Sequence, residues 1–375
     1  MIRARLAPTS VPERIVVDVR TDHEGDAQLW WETVAGDPPP VPDRLDVAAL
    51  ALVAKAMNYG QDLHLDGPVS WRLLANLEEF VDAWTQWRPA TFRPVSLSAE
   101  EVIDDRGRGP GELADRAVAA FSGGLDGTYG VHLHARGLLG RRTLRVAAAV
   151  LVGGFDIPLD DDLGLAAATT GARAILAELG VPLVVMRTNW QAVADPDWEM
   201  TFGTAMTAVL HLFADRAGNV LLASDTTYAA PTIPWGSNPI TTPKLASARM
   251  RMGQPGTDAT RTQKARALGE LASVREHLRV CWEGDLPGRN CGRCEKCVRT
   301  KVNLLAAGVG AIPALGPLEP GELRGLAIRS SGALELFEQL LGEQGQLPED
   351  VVADLRWLLD QPLAPAPPAA VEPDR

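Results

Sequence analysis

The chain has 375 residues, 46% of them hydrophobic and 22% charged, which is ordinary globular composition and enough length for two or three domains. Its formal net charge of −12 disfavours a broad nucleic-acid surface, so we do not expect a nucleic-acid partner. No apolar run reaches the roughly 18 residues that would span a membrane. The start of the chain also lacks the apolar core of a signal peptide, so we expect a cytoplasmic location.

The first 115 residues are predicted to form a smaller α+β region. Apolar spacing and β-branched residues predict two strands followed by two helices, over residues 14–19, 26–33, 45–57 and 71–87. A stretch rich in glycine at residues 107–111 then marks a flexible boundary. This region shows no catalytic constellation.

Residues 116–310 alternate between strand-like and helix-like runs, which is typical of a parallel sheet with crossover helices. The expected strands cover residues 117–121, 145–152, 182–186 and 219–224, and the expected helices cover residues 128–139, 163–179 and 201–214. Ligands of open α/β sheets bind beyond the carboxyl ends of the strands. Those ends carry residues 122–126, 153–156, 187–189 and 224–225.

A glycine-rich stretch, Phe121-Ser122-Gly123-Gly124-Leu125-Asp126-Gly127-Thr128, separates the first of these strands from the first helix. Glycines allow a sharp turn and a close approach of the backbone to a ligand. Backbone N–H groups converge at such a turn, and the helix N-terminus adds partial positive charge. The stretch therefore predicts an anion site, with phosphate as the default anion; a glycine-rich turn that binds nothing is the alternative.

A second helix start lies far downstream, at residues 257–264, with Asp258 or Thr260 as its cap. Arg261 and Lys264 are three residues apart and so share one face of this helix. At a nucleotide site they would neutralise phosphate charge; otherwise they are ordinary exposed basic residues. The preceding residues 231–256 are rich in proline and glycine, and within them residues 233–239 offer either a wall for a planar substrate or a surface loop.

All four cysteines lie together, at Cys281, Cys291, Cys294 and Cys297. This spacing predicts a closed four-thiolate Zn²⁺ site with a structural role. An iron–sulfur cluster or disulfides remain the alternatives. Basic residues surround the cluster and would offset its negative charge, although contact with phosphate or nucleic acid is also open: Arg289, Arg293, Lys296, Arg299 and Lys301.

Two clusters of acidic residues could be metal sites, but each has a simpler explanation. Asp62, His64 and Asp66 alternate, as polar residues do on a half-exposed strand. Residues 160–162 are three aspartates, which favours a solvated turn with an N-capping aspartate over a magnesium site. Residues 311–375 carry two helix-like runs, at 331–341 and 348–359, and a proline-rich end that we expect to be disordered.

The stretch from Ser122 to Asp126 resembles the SGGxDS loop of the PP-loop ATP pyrophosphatases, with Gly127 standing where that family has serine and Thr128 as a substitute hydroxyl. Together with the cysteine pattern, it resembles the QueC family of 7-cyano-7-deazaguanine synthases and their relatives. That family has eight residues between its first two cysteines, and this chain has nine. The resemblance covers residues 117–307, leaves the rest unexplained, and favours a divergent relative with an additional N-terminal region.

The resemblance implies an ATP-dependent carbon–nitrogen ligase. It would adenylate a carboxylate such as 7-carboxy-7-deazaguanine, release pyrophosphate, and pass the acyl group to ammonia or another amine, including a protein N-terminus. Residues 122–128 would hold the phosphates, Asp126 would position Mg²⁺, and Arg261 or Lys264 would stabilise charge on the α-phosphate. Gly153 and Asp156 would border the adenosine.

Two other functions stay open. PP-loop proteins also thiolate tRNA, usually through a reactive cysteine, but here all four cysteines are assigned to zinc. The other alternative is a degenerate nucleotide-binding module that recruits a partner. It is suggested by Gly127, which lacks the serine hydroxyl of the PP-loop enzymes. A homodimer is compatible with either reading.

Overall fold

The computed structural model describes residues 1–22, 25–194, 197–281, 288–343 and 347–365. These residues form an α/β fold with one large sheet. Its strands are β1 (Ile2–Ala7), β2 (Arg14–Thr21), β3 (Gly25–Ala35), β4 (Leu63–Ser70), β5 (Leu97–Ile103), β6 (Arg116–Ala120), β7 (Arg145–Gly153), β8 (Leu183–Thr188), β9 (Asn219–Leu221) and β10 (Arg251–Gly253). Its helices are α1 (Asp46–Tyr59), α2 (Trp71–Trp87), α3 (Leu125–Ala135), α4 (Asp162–Leu179), α5 (Trp190–Ala194), α6 (Trp198–His211), α7 (Arg261–Leu268), α8 (Ala272–His277), α9 (Glu295–Ala306), α10 (Ser331–Leu341) and α11 (Glu349–Leu359).

The strand order places a ligand crevice beside β6. Across the sheet the order is β10-β9-β6-β7-β8-β3-β2-β1-β4-β5, and the strands from β6 to β10 are all parallel. The chain builds outward from β6 through β7 to β8, then returns to the other side of β6 as β9. In open α/β sheets such a reversal opens a crevice at the carboxyl ends of the two strands beside it. Here those strands are β6 and β9.

The N-terminal strands continue the same sheet. β3 runs antiparallel to β8, with Trp31 opposite Thr188. β2 and β1 follow antiparallel, and β4 and β5 follow parallel to β1. Hydrogen bonding therefore runs without a break from one side of the predicted boundary near residue 115 to the other, and the domain division itself stays a prediction.

The parallel part of the sheet, from β6 to β8, is buried on both faces. In β7, Ala148, Val150 and Val152 pack into a core that includes α1 and α6, whereas Ala149 and Leu151 pack into a core that includes α4 and α9. A strand covered on both sides has a continuous apolar sequence, which is why β7 could be predicted. A third, smaller core joins α9 to α10 and α11.

The expected elements are largely confirmed, with two kinds of difference. Helix α3 begins at Leu125, three residues before the expected start, because the glycine turn is complete at Gly124. Strands β1, β5 and β10 were not expected, and β4 was expected only as a half-exposed strand at residues 62–66. The second half of β4 contains Gly67 and Pro68, where its register with β5 shifts, and these residues hide the strand pattern there. Most of the predicted disordered tail lies outside the described residues.

Across the described helices, none has both the length and the apolar character needed to cross a membrane.

Candidate functional site

The glycine stretch forms a tight turn between β6 and α3. Gly123 has a φ of +77°, a left-handed value that favours glycine. A side chain on Gly124 would lie 3.2 Å from Ser122 Oγ and 3.4 Å from the carbonyl oxygen of Arg279. Gly124 is also the N-cap residue of α3 and has no side chain to cap it. The first amides of α3 therefore stay available to an outside acceptor.

Asp126, in the first turn of α3, is held by two cations from α7. Its Oδ1 accepts a hydrogen bond from Lys264 Nζ at 2.7 Å, and its Oδ2 accepts one from Arg261 Nη2 at 3.1 Å. Burial disfavours the charged carboxylate, but the charges of Arg261 and Lys264 outweigh it and hold the pKa of Asp126 well below its usual range. These three predicted residues therefore meet in one cluster.

Helix α7 presents both cations because its start is firmly set. Thr260 is the N-cap: its Oγ1 accepts a hydrogen bond from the Gln263 amide, and Gln263 Oε1 accepts one from the Thr260 amide. This capping box fixes the first turn, so Arg261 and Lys264 project from one face. Lys264 is 1% exposed and also donates to the carbonyl oxygen of Ser224 at 2.5 Å, so it is not an ordinary surface lysine.

A cleft of about 170 Å³ opens in front of this cluster. The glycine stretch and α3 form one wall, through Ser122, Gly124, Leu125, Asp126 and Gly127. The opposite wall is basic and comes from the region of the cysteines, through Arg279, Lys296 and Arg299.

Two of the arginines that line the cleft have N–H donors without an acceptor among the described residues. Within the described part of the chain, Arg261 Nη1 and Arg279 Nε are buried without a hydrogen-bond partner. Burial and the nearby charge of Arg261 lower the pKa of Arg299 to about 10, and burial lowers the pKa of Lys296 to about 8. Buried donors without acceptors cost about 1–3 kcal/mol each, so the cleft favours an anionic ligand.

A second pocket of about 210 Å³ adjoins the cleft. Its walls are largely apolar and aromatic, with Phe155, Trp198 and Phe202 on one side. The two cavities share several lining residues, namely Ser122, Asp126, Gly127, Asp156 and Arg279. An anion in the cleft and a flat apolar group in the pocket would therefore lie side by side.

The predicted residues after β7 divide between the cavities and the scaffold. Asp156 lines both cavities, and burial raises its pKa against the opposing charges of Lys296 and Arg279. Gly153 does not line either cavity and packs against Leu165.

Two predicted phosphate-binding residues also lie away from the cleft. Gly123 shapes the turn, and its carbonyl oxygen accepts the Arg279 amide hydrogen at 2.9 Å. Thr128 is fully buried in α3, where its Oγ1 finds no partner among the described residues, so it does not present a hydroxyl to the cleft.

Asp225, just after β9, is a site residue that was seen only as part of a strand end. It lines the aromatic pocket, and its Oδ1 is buried without a hydrogen-bond partner in the described chain. Burial raises its pKa, as does the charge of Asp126, while Arg261 and Lys264 act in the opposite direction. Its position at the carboxyl end of β9 was the signal available in the sequence.

The four cysteines form a compact cluster. Their sulfur atoms all lie within 4.8 Å of one another, with Cys294 to Cys281 at 3.6 Å and Cys291 to Cys297 at 3.9 Å. A tetrahedral Zn²⁺ with Zn–S bonds of ~2.3 Å requires sulfurs ~3.8 Å apart. The cluster therefore fits a four-thiolate metal site, and its spacings are far too long for disulfide bonds.

The basic residues near the cysteines have different roles. Lys301 donates to both carboxylate oxygens of Glu322, at 2.8 and 2.9 Å. Lys296 and Arg299 line the anion cleft, whereas Arg293 is exposed. Charge offset around the metal is therefore not a role that all five share.

The remaining candidates are structural. Asp161 caps α4 by accepting the Gly164 amide at 2.7 Å, as expected of the acidic turn. His64 and Asp66 lie on β4, where Arg3 pairs with Asp66. In the loop before β10, Ser237 lines the aromatic pocket, but Trp235 does not.

Comparisons of this chain with family models, with curated proteins and with solved structures found no match. The resemblance to the PP-loop enzymes therefore stays a resemblance of sequence motifs, the glycine stretch and the cysteine spacing.

Proposed function

We propose that this chain is a PP-loop ATP-dependent ligase that adenylates a carboxylate, releases pyrophosphate, and transfers the acyl group to ammonia or another amine. One observation carries the proposal. A glycine turn at the reversal of strand order opens on a cleft where Arg261 and Arg279 hold buried N–H donors without acceptors among the described residues. Phosphate groups of a nucleotide would satisfy both the free amides of α3 and these donors.

The residues divide the work as follows. The amides of the turn and of the first turn of α3 bind the β- and γ-phosphates. Asp126 positions Arg261 and Lys264, because each of its carboxylate oxygens is bonded to one of them. Those cations stabilise the negative charge that develops on the α-phosphate when a carboxylate oxygen attacks it.

Mg²⁺, when bound, would neutralise phosphate charge and orient the leaving group. Both Asp126 oxygens are already hydrogen-bonded. The Oδ1 of Asp225, which has no partner among the described residues, is therefore the better oxygen donor for it. This assignment moves the expected Mg²⁺ role from Asp126 to its neighbour.

The aromatic pocket would hold the acid. Phe155, Trp198 and Phe202 suit a flat heterocycle such as that of 7-carboxy-7-deazaguanine, and the carboxylate would then reach the cleft beside Asp156. In the first step the P–O bond between the α- and β-phosphates breaks and an acyl–AMP forms. In the second step an amine nitrogen attacks the acyl carbon, AMP leaves, and one proton is lost.

The direct test uses ATP with radiolabels in the adenosine and in the γ-phosphate, incubated with a panel of planar carboxylic acids. The expected products are AMP and pyrophosphate with at least one acid, and Asp126→Asn abolishes them. Asp162→Asn is the matched control, because Asp162 is an exposed acid on the neighbouring helix α4. ADP as the sole nucleotide product contradicts the proposal.

A further inference from the structure

Helix α9 links the cysteine cluster to the anion cleft. The helix begins directly after Cys294, and its first two turns carry Lys296, Arg299 and Thr300 into the cleft wall. Arg299 is only 6% exposed and forms an ion pair with Glu295 one turn earlier. A basic side chain this deeply buried has a fixed position, and that position depends on where α9 begins.

The segment before Cys281 makes a second link. The Arg279 amide donates to the carbonyl oxygen of Gly123 at 2.9 Å, so this segment crosses directly over the glycine turn. Asn290 holds the segment in place: its Oδ1 accepts the Val280 amide at 2.9 Å, and its Nδ2 donates to the carbonyl oxygen of Leu278 at 2.7 Å. Cys281 then ties the same segment to the cluster.

The acids Asp156 and Asp225 oppose part of the positive charge gathered in this way. Arg261, Lys296 and Arg299 lie close enough to repel one another. Asp126 is already bonded to Arg261 and Lys264, and Glu295 is paired with Arg299. Clustered buried cations with unsatisfied donors are costly until a multiply charged anion enters.

We propose that the four-cysteine metal centre organises the pyrophosphate half of the cleft, because it holds Arg279, Lys296 and Arg299 opposite the amides of the glycine turn. The inference rests on the proposed function for its ligand, the β- and γ-phosphates of ATP and the pyrophosphate that leaves. Cys281 also lines the cleft, and we assign it the role of holding this wall in place. Arg279, Lys296 and Arg299 act through charge and hydrogen bonds, and no bond is made or broken by them.

The first experiment measures the affinity of the full-length, metal-loaded protein for inorganic pyrophosphate by calorimetry. Lys296→Gln and Arg299→Gln are each expected to weaken binding about tenfold, the effect of losing one charge-assisted contact. Arg299→Lys should restore part of the affinity. Arg293→Gln is the matched control, since Arg293 is exposed on the same cysteine loop and does not line the cleft. Unchanged affinity in both glutamine variants overturns the proposal.

The second experiment tests the organising role with Asn290→Ala, which loosens the Arg279 segment and keeps all four cysteines. We expect pyrophosphate affinity to fall severalfold while one zinc per chain is retained. If zinc is lost as well, pyrophosphate binding must be lost with it. Retained affinity in either case overturns the organising role.

Pyrophosphate binding at equilibrium needs no turnover. A protein that binds pyrophosphate in the expected residue-dependent way but never forms AMP would refute the ligase and leave this inference standing. A protein that forms AMP while the variants bind pyrophosphate normally would do the reverse.

Discussion

Asp126 and Lys264 form an ion pair with 2.7 Å between Oδ1 and Nζ, although 138 residues separate them in the chain. The pair joins the first turn of α3 to α7, and Lys264 extends the contact to the end of β9 by donating to the Ser224 carbonyl oxygen. It therefore connects the two strand ends between which the sheet reverses its order. This contact therefore helps to hold the two sides of the cleft together.

Removing the Lys264 side chain should destabilise the folded protein. Lys264→Met leaves the Asp126 carboxylate without one of its two partners, and we expect the free energy of unfolding to fall by about 3 kcal/mol. Lys244→Met is the matched control, because Lys244 pairs with Glu79 in a more exposed setting and should lose less than about 1 kcal/mol. Urea denaturation measures both. Equal losses would show that burial does not strengthen the Asp126 pair.

Position 127 should accept the serine that the PP-loop enzymes have in this loop. A side chain on Gly127 would meet the Ala120 carbonyl oxygen at 3.5 Å, an ordinary contact, and the backbone is helical. Gly127→Ser should therefore keep the fold and raise the rate of AMP formation, since it restores a hydroxyl at the start of α3. A rate that stays at zero with intact nucleotide binding would favour the non-catalytic module.

Gly154 provides the contrasting substitution. It has a φ of +92°, and a side chain there would lie 1.9 Å from the Thr188 carbonyl oxygen. Gly154→Ala should lower the melting temperature by several degrees or prevent folding, at a cost of at least about 2 kcal/mol. A melting temperature equal to that of the unmodified protein would contradict the backbone geometry after β7.

The pH dependence of stability should have a component from His211. Burial lowers its pKa from 6.5 to about 4, although its hydrogen bond to the Thr207 carbonyl oxygen acts the other way. Between pH 6.5 and about 4, His211 therefore binds a proton in the unfolded chain but not in the folded chain. Stability is lost as the pH falls through this range. One pKa unit is worth ~1.4 kcal/mol, so the loss can reach about 3 kcal/mol.

Asp46 lines the same cavity as His211, together with Asp215 and Arg249. Its contribution to stability has the opposite pH dependence. Burial raises the Asp46 pKa to about 6, so its contribution is present at low pH and is lost as the pH rises through 6. His211→Gln should reduce the loss of stability at low pH, and Asp46→Asn should increase it. Denaturation midpoints between pH 4 and 7 measure both, and parallel curves for all three proteins would contradict the assignment.

The metal prediction concerns Cys281, Cys291, Cys294 and Cys297, which should bind one Zn²⁺ per chain. Without the ion, four neighbouring thiolates repel one another, so metal binding is coupled to folding. Cys294→Ser should lower solubility and melting temperature. Elemental analysis of the purified protein checks the stoichiometry. A preparation free of metal that is nevertheless fully stable would contradict the site.

The sequence was informative where chemistry is local. The glycine turn, the capped helix with Arg261 and Lys264, and the cysteine spacing are each contained in fewer than 20 consecutive residues, and the structure bears out their local geometry. The strand ends at residues 122–126, 153–156 and 224–225 were expected to lie together, because the carboxyl ends of parallel strands meet at one edge of a sheet.

Other features depend on long-range pairing that no local pattern encodes. β3 pairs with β8 across more than 150 residues, and this contact makes one sheet of two predicted regions. Arg279 belongs to no motif and enters the site only because its segment crosses the glycine turn. Lys296 and Arg299 were noted as basic residues, but the sequence favoured a simpler role for them, which was to offset the negative charge of the predicted metal site.

In the reaction that we propose, a carboxylate attacks the α-phosphate of ATP at the cleft beside Asp126. The most direct measurement uses 7-carboxy-7-deazaguanine labelled with heavy oxygen in its carboxylate, together with unlabelled ATP and ammonia. Adenylation followed by acyl transfer leaves one carboxylate oxygen on AMP, so the predicted result is AMP heavier by one labelled oxygen, alongside pyrophosphate. AMP that carries no label, or ADP in its place, would contradict the claim.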